Sequence, residues 1–207
     1  PSDSSAAAPS RKTLAMSRSE SARVSSVFDE ALERLAHPDA IGDGFFLAAA
    51  EALSKALNVG WAAVGELRRE TQSISLLVLC RNGAPQPLFE YPLEGAPCSR
   101  VYDQKSGSPH WFIGDRVADA FPQVSTFAQG GVRSYRGELF VGEDGERLGH
   151  VFVMDDRPVE DDPAARAFFR IIAQRAGAEL RQRRLRERLE LSETRFRDFT
   201  EVASEWW

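Results

Sequence analysis

The chain holds 207 residues, 43% hydrophobic and 10% aromatic, which is enough for one domain with a closed core and argues for a globular rather than a disordered chain. Its 31 acidic against 26 basic side chains leave a net charge of −5, which opposes nonspecific attraction to a phosphate backbone and argues against a nucleic-acid partner. Two cysteines, Cys80 and Cys98, are too few for a disulfide framework, and no run approaches the roughly 18 apolar residues that span a bilayer, so a cytoplasmic setting without membrane contact is expected.

Residues 1–17 are rich in Ser, Ala and Pro, offer nothing to bury, and are expected to form a flexible leader. Helical periodicity begins near Ser19: Val24, Val27, Phe28, Ala31, Leu32 and Leu35 recur at three- and four-residue steps until His37-Pro38 stops them. Asp39 or Asp43 can cap a second helix through Phe45, Phe46, Ala49, Leu53, Ala56 and Leu57, closing near Asn58. Trp61 to Leu67 and Ser73 to Leu79 read as a hairpin around the polar turn Arg68 to Gln72, and Leu88 to Tyr91 as a third short strand. The Gly95-Ala96-Pro97 turn then delivers a brief helix from about Cys98 to Lys105.

From Ser106 to Gly131 the pattern is irregular but apolar, with Trp111, Phe112, Ile113, Val117, Phe121, Val124 and Phe127 set between Pro and Gly punctuation. Loops with this many aromatics fold over something. Ser134 to Val141 and Arg147 to Met154 are strands joined by a turn whose Asp144-Gly145 is a strong hairpin signal. Asp161 or Asp162, with Pro163 at the first helical position, opens a long final helix. Along it Phe169, Ala173, Ala176 and Leu180 keep one seam, Arg181 to Arg184 have no apolar member, and Leu185, Leu189, Ser192, Phe196 and Phe199 resume at alternating steps of four and three. The gap of five between Leu180 and Leu185 is a phase shift that fits a coiled-coil-like helix leaving its domain to pair with a twin; a solvated surface helix accounts for the arginines equally well.

The run Tyr91-Pro92-Leu93-Glu94-Gly95-Ala96-Pro97-Cys98, followed by Ser99-Arg100-Val101-Tyr102 and later by the strand pair from Ser134 to Asp155, resembles the pocket entry of a bacterial GAF domain. The resemblance covers roughly Val24 to Leu180. It implies an α+β fold of the PAS/profilin-like type: a central antiparallel sheet of about five to six strands flanked by helices, with a long C-terminal helix. The GAF domain is expected over residues 18–180. Leu191 to Trp207 resembles the opening helix of a PAS domain, so residues 181–207 are expected to be a signalling helix and the start of a truncated PAS domain. Lysine occurs only at Lys12, Lys55 and Lys105, an arginine-biased usage typical of GC-rich bacterial genes. What these resemblances imply is a noncatalytic sensory module that binds a small molecule or mediates homodimerisation through its N- and C-terminal helices. Its downstream PAS and output domains in cis would be of histidine kinase or cyclic-di-GMP type.

The ligand is expected between one sheet face, the Cys98 helix and the aromatic segment, with Cys98, Val101, Tyr102, Trp111, Phe121, Phe127, Arg133 and Tyr135 as wall candidates. Arg133 is the one charge placed to meet an anion. The same aromatics can instead fill that space, leaving a structural spacer that transmits dimer geometry. The dimer-helix candidates are Phe169, Ala173, Ala176, Leu180, Leu185 and Leu189. Cys98 is either a small buried residue or, at a helix N-terminus that lowers its pKa, a reactive thiol. Two cysteines on separate elements match the methionine-sulfoxide-reducing branch of the family poorly, which leaves a cysteine-dependent enzyme as the alternative. Cys98 is followed by Ser99 rather than histidine, against covalent bilin attachment. His37, His110 and His150 show no metal-ligand spacing, and His110 beside Trp111 is the one to consider as an axial haem ligand. No cofactor and no catalytic residue is assigned.

Overall fold

The computed structural model describes residues 26–37, 39–103, 108–142 and 144–204. The expected leader, the first turns of the opening helix from Ser19 to Val24, Lys105 at the end of the cysteine helix, and Glu205 to Trp207 lie outside the described residues. Helix α1 occupies residues 26–35. It is followed by α2 (Asp43–Leu57), β1 (Trp61–Arg68), β2 (Ser73–Arg81), β3 (Ala84–Pro85), β4 (Glu90–Pro92) and the 3-10 turn η1 (Pro97–Tyr102). Then come β5 (His110–Ile113), α3 (Val117–Ala120), α4 (Ser125–Gly130), β6 (Ser134–Val141), β7 (Arg147–Asp155) and α5 (Pro163–Ser204).

The strands form one seven-stranded antiparallel sheet in the order β3-β2-β1-β7-β6-β5, with β4 also paired to β2. Alternation along the strands sends side chains into two separate cores. On one face Ala62, Val64, Val78, Cys80, Val151 and Val153 pack against α1, α2 and α5. On the other Ala63, Leu67, Ile74, Leu76, Leu79, Tyr135 and Phe152 meet η1, α3 and α4.

Pro163 follows Asp162, whose carboxylate accepts from the Ala164 and Ala165 amides at 3.0 and 3.3 Å, so a side-chain cap starts α5. Asp161 pairs with Arg136 at 2.9 Å and with Arg166. Helix α2 departs from expectation, because its N-cap is Gly42 and neither Asp39 nor Asp43 caps it through a side chain. The Gly42 amide instead donates to Glu179 of α5 at 3.0 Å, and Asp43 pairs with Arg183 at 2.9 Å. Helix α1 lies beside α5, with the Phe28 and Phe168 rings stacked at 4.7 Å between centroids.

Two further expectations need correction. The segment from Ser106 to Gly131 is not one irregular loop, since it contains β5, α3 and α4. Strand β5 carries apolar groups on both faces: Trp111 packs on Tyr135, while Phe112 lies under the Arg136 guanidinium, so it shows no period-two signature. The seam Phe169, Ala173, Ala176 and Leu180 is not a surface for a twin helix. All four are at most 1% exposed and close the domain's own helical core. Leu185 and Leu189, by contrast, are 59% and 61% exposed where α5 runs past the sheet.

Candidate functional site

The Gly95-Ala96-Pro97 turn bends the chain back over the sheet, with Gly95 at φ +79° supplying a conformation other residues rarely adopt. Pro97 then starts η1, which buries Pro97, Cys98, Val101 and Tyr102 against the sheet face opposite α2 and α5, the distal face. Between this turn, α4 and the sheet lies a cavity of about 300 Å³. Trp61 of β1, Leu76 and Leu79 of β2, and Phe152 and Met154 of β7 form its floor. Phe89, Tyr91, Ala96, Pro97 and Cys98 form one side, and Val124, Phe127, Val132 and Tyr135 the other. Phe89 is 56% exposed and stands where the cavity meets solvent.

Of the residues expected in the wall, Cys98, Phe127 and Tyr135 are there. Val101, Tyr102, Trp111 and Phe121 belong to the packed cluster around it: Trp111 meets Phe121 edge-on at 5.7 Å, and Tyr102 hydrogen-bonds the His150 ring at Nδ1 over 2.9 Å. Arg133 is outside the site. Its guanidinium is exposed and held bidentately by Asp115 at 2.8 Å through both Nε and Nη2, so it does not face the cavity. His110 faces the opposite side of the sheet, bound to Glu138 at 2.9 Å.

The expected wall missed the floor residues Trp61, Leu76, Leu79, Phe152 and Met154, and on the sides Phe89, Tyr91, Ala96, Pro97, Val124 and Val132. For β7 the signal was alternation, which puts Phe152 and Met154 on one face with Tyr135 of the neighbouring strand. For β2 a bulge hides it: the register with β1 shifts between Val64 and Gly65, so Leu76 and Leu79, three apart, reach the same side.

The polar groups here are few and protonated. The Tyr91 hydroxyl and the Cys98 thiol lie 3.2 Å apart in a hydrogen bond. Burial pushes the Cys98 thiol up, with the neighbouring Tyr135 and Tyr91 hydroxyls acting in the opposite sense. A six-residue 3-10 turn does not offset that desolvation, so the arrangement favours thiol over thiolate. Burial likewise keeps the Tyr91, Tyr102 and Tyr135 hydroxyls well above the ordinary tyrosine pKa. Gly137 gives the Tyr135 hydroxyl its room: a Cβ there would stand 2.6 Å from that oxygen. His150 is fully buried, stacked on Phe152 at 5.2 Å, and burial drives its pKa down to about 3. Among the described residues, none lining the cavity is Asp, Glu, His, Lys or Arg. Among the described residues no cluster of His, Cys, Asp and Glu could hold a metal ion, and no helix is long and apolar enough to cross a membrane.

No protein-family model and no curated protein matches the sequence. Solved structures do. The fold is similar to the GAF domain of an Acinetobacter phosphoenolpyruvate-protein phosphotransferase, at a TM-score of 0.59 and 9% identity, over 80% of this chain and 98% of that one. It is similar to the chromophore-binding domain of a phytochrome from Stigmatella aurantiaca at a TM-score of 0.56 and 11% identity, over 75% of this chain and 59% of that one. A far-red-absorbing protein with bound biliverdin IXa matches at a TM-score of 0.58 and 9% identity, over 75% of this chain and 98% of that one. The chain therefore has the GAF fold, and it spans less than two thirds of the phytochrome chain it matches. A bilin does not fit the residues present. A cavity of roughly 150 Å³ already admits benzene, so about 300 Å³ holds two rings rather than four, and the wall offers no cation to propionates.

Proposed function

We propose that the chain is a noncatalytic, cytoplasmic sensory module in which a small molecule in the cavity beneath η1 alters how α5 leaves the domain. Two copies pair through the exposed half of α5, so that the change reaches a following PAS and output domain of histidine kinase or cyclic-di-GMP type. The observation that carries this reading is a single sheet with the cavity on one face and the root of α5 on the other. Strand β7 serves both: Phe152 and Met154 line the cavity while Val151 and Val153 lie in the core with α5. A ligand acts only through different affinity for the two helix arrangements, and a shared sheet is the element through which that difference passes.

Pairing of α5 is supported by Leu185, Leu189, Phe196 and Phe199, which are 59 to 71% exposed and recur at steps of four, seven and three. In a parallel pair this repeat sets Arg188 of one copy toward Glu193 of the other, an attractive contact at flanking heptad positions. The buried, protonated thiol weighs against the cysteine-dependent enzyme.

Light scattering of the full chain and native mass spectrometry of the purified protein test the proposal together. The expected result is twice the 23.0 kDa chain mass, with a bound small molecule or a thermal shift on adding one. A monomer that carries nothing and shifts with no member of a metabolite panel overturns it.

A further inference from the structure

Resting on that reading, we infer that the cavity takes an uncharged, flat aromatic molecule of about two fused rings, and that ionised metabolites are excluded from it. Three features of the wall converge on this class.

The first is charge. No ionisable Asp, Glu, His, Lys or Arg lines the cavity among the described residues. The arginines nearby are engaged elsewhere: Arg81 stacks on the Trp61 ring at 4.5 Å and Arg133 is clamped by Asp115. A carboxylate or phosphate entering this space would lose its hydration without gaining a counter-ion, a loss that outweighs any apolar contact available in so small a volume. The wall's hydrogen-bonding groups do not substitute: the Tyr91 hydroxyl and Cys98 thiol are bonded to each other, and the Tyr135 hydroxyl, buried without a partner among the described residues, is a single neutral donor that cannot balance a charge.

The second is shape. Trp61, Phe89, Tyr91, Phe127, Tyr135 and Phe152 supply ring surfaces around one space. Aromatic walls reward a ligand that offers faces and edges to them, and the sulfur atoms of Cys98 and Met154 make further favourable contacts with ring edges. The third is size. About 300 Å³ is twice the roughly 150 Å³ that accommodates benzene, which sets the limit near two fused rings.

Naphthalene, 2-naphthoate and n-octanol, added separately to the full chain, test the class, with affinity read by calorimetry and position read from the Met154 methyl resonance. That methyl is one of only two methionine methyls in the chain, and a ring placed in the cavity displaces its shift. Naphthalene is expected to bind and move the resonance, 2-naphthoate to bind at least about 100-fold more weakly, and n-octanol to bind more weakly than naphthalene. Ala96→Phe, which fills the cavity, is expected to abolish naphthalene binding. The Met154 shift in the unaltered chain decides the matter should that variant fail to fold. Equal affinity for naphthoate and naphthalene overturns the exclusion of charge, and tighter binding of octanol overturns the preference for rings; either leaves the sensory reading intact. If naphthalene is silent while the purified protein carries another ligand, the class is wrong and the sensory reading stands. Silence in both overturns both.

Discussion

At the scale of single residues the distal core is defined by groups that burial keeps neutral. His150 is the sharpest case, with a pKa driven down to about 3 against an unfolded value near 6.5. Between those values the unfolded chain binds a proton that the folded chain does not, so stability falls as pH drops from 6.5 and is unaffected by this group above it. The slope is about 1.4 kcal/mol per pH unit, so moving from pH 6.5 to 5 removes about 2 kcal/mol. Carboxylates such as Asp115, which Arg133 holds below the usual range, lose their contribution only at lower pH and leave this window clear. Urea melts at pH 7, 6 and 5 read the slope, and His150→Gln, which keeps an acceptor for Tyr102, is expected to flatten it. Cys98 follows the same logic. Its raised pKa and burial predict iodoacetamide labelling at pH 7.5 about 100-fold slower in the folded chain than in urea. Labelling at the unfolded rate would favour the nucleophile reading instead.

At the scale of elements, the strands and helices with clean periodicity were legible in the sequence, as was the Asp162-Pro163 start of α5. What hid the rest was two-sided burial or irregular register. Strand β5 buries apolar groups on both faces, and the β2 bulge places Leu76 and Leu79 together in a way no regular alternation gives. Cys98 was within reach from the turn motif, Phe127 from the aromatic segment and Tyr135 from the strand that follows it. The floor of the cavity was not, because it depends on which strands neighbour one another. The β1–β7 crossing is also set by glycine: a Cβ on Gly149 would stand 2.1 Å from the Gly65 carbonyl oxygen and 2.7 Å from the Phe140 ring. Backbone cannot yield as a side-chain tip does, so Gly149→Ala is expected to lower stability by about 3 kcal/mol or more in urea melts. The two halves of α5 should likewise respond oppositely. Leu180→Ala removes a side chain 1% exposed in the helical core and is expected to cost about 2 to 5 kcal/mol. Leu189→Glu, at 61% exposure, should leave the melt within about 0.5 kcal/mol at a concentration where the chain is monomeric, yet lower the scattering mass of the proposed dimer.

At the scale of the whole molecule, the proposed sensory role requires that a ligand on one face of the sheet reach a helix on the other. Leu76, in the cavity wall, is the register partner of Gly65. The next residue on β1, Glu66, is 5% exposed on the helical side and pairs with Arg184 at 2.7 Å and Arg68 at 3.4 Å. Arg184 immediately precedes Leu185, where α5 becomes exposed, so this ion pair helps tie α5 to the sheet there, together with Arg184–Glu146 at 3.5 Å and Arg183–Asp43 at 2.9 Å. Coupling between distant sites requires an element with two discrete arrangements, and this pair, made in this structure and broken by substitution, tests whether it belongs to one. Glu66→Gln keeps the volume and removes the charge. Spin labels on the exposed Arg195→Cys, in a chain whose own Cys80 and Cys98 are buried, report the separation of the two α5 helices in the proposed dimer. Naphthalene is expected to change that separation in the parent and to leave it unchanged in Glu66→Gln, while calorimetry shows the same affinity within about threefold, as differential affinity for two states demands. A variant that still responds would place the coupling elsewhere in the sheet, and one that loses affinity as well would make Glu66 a support of the cavity rather than a link from it.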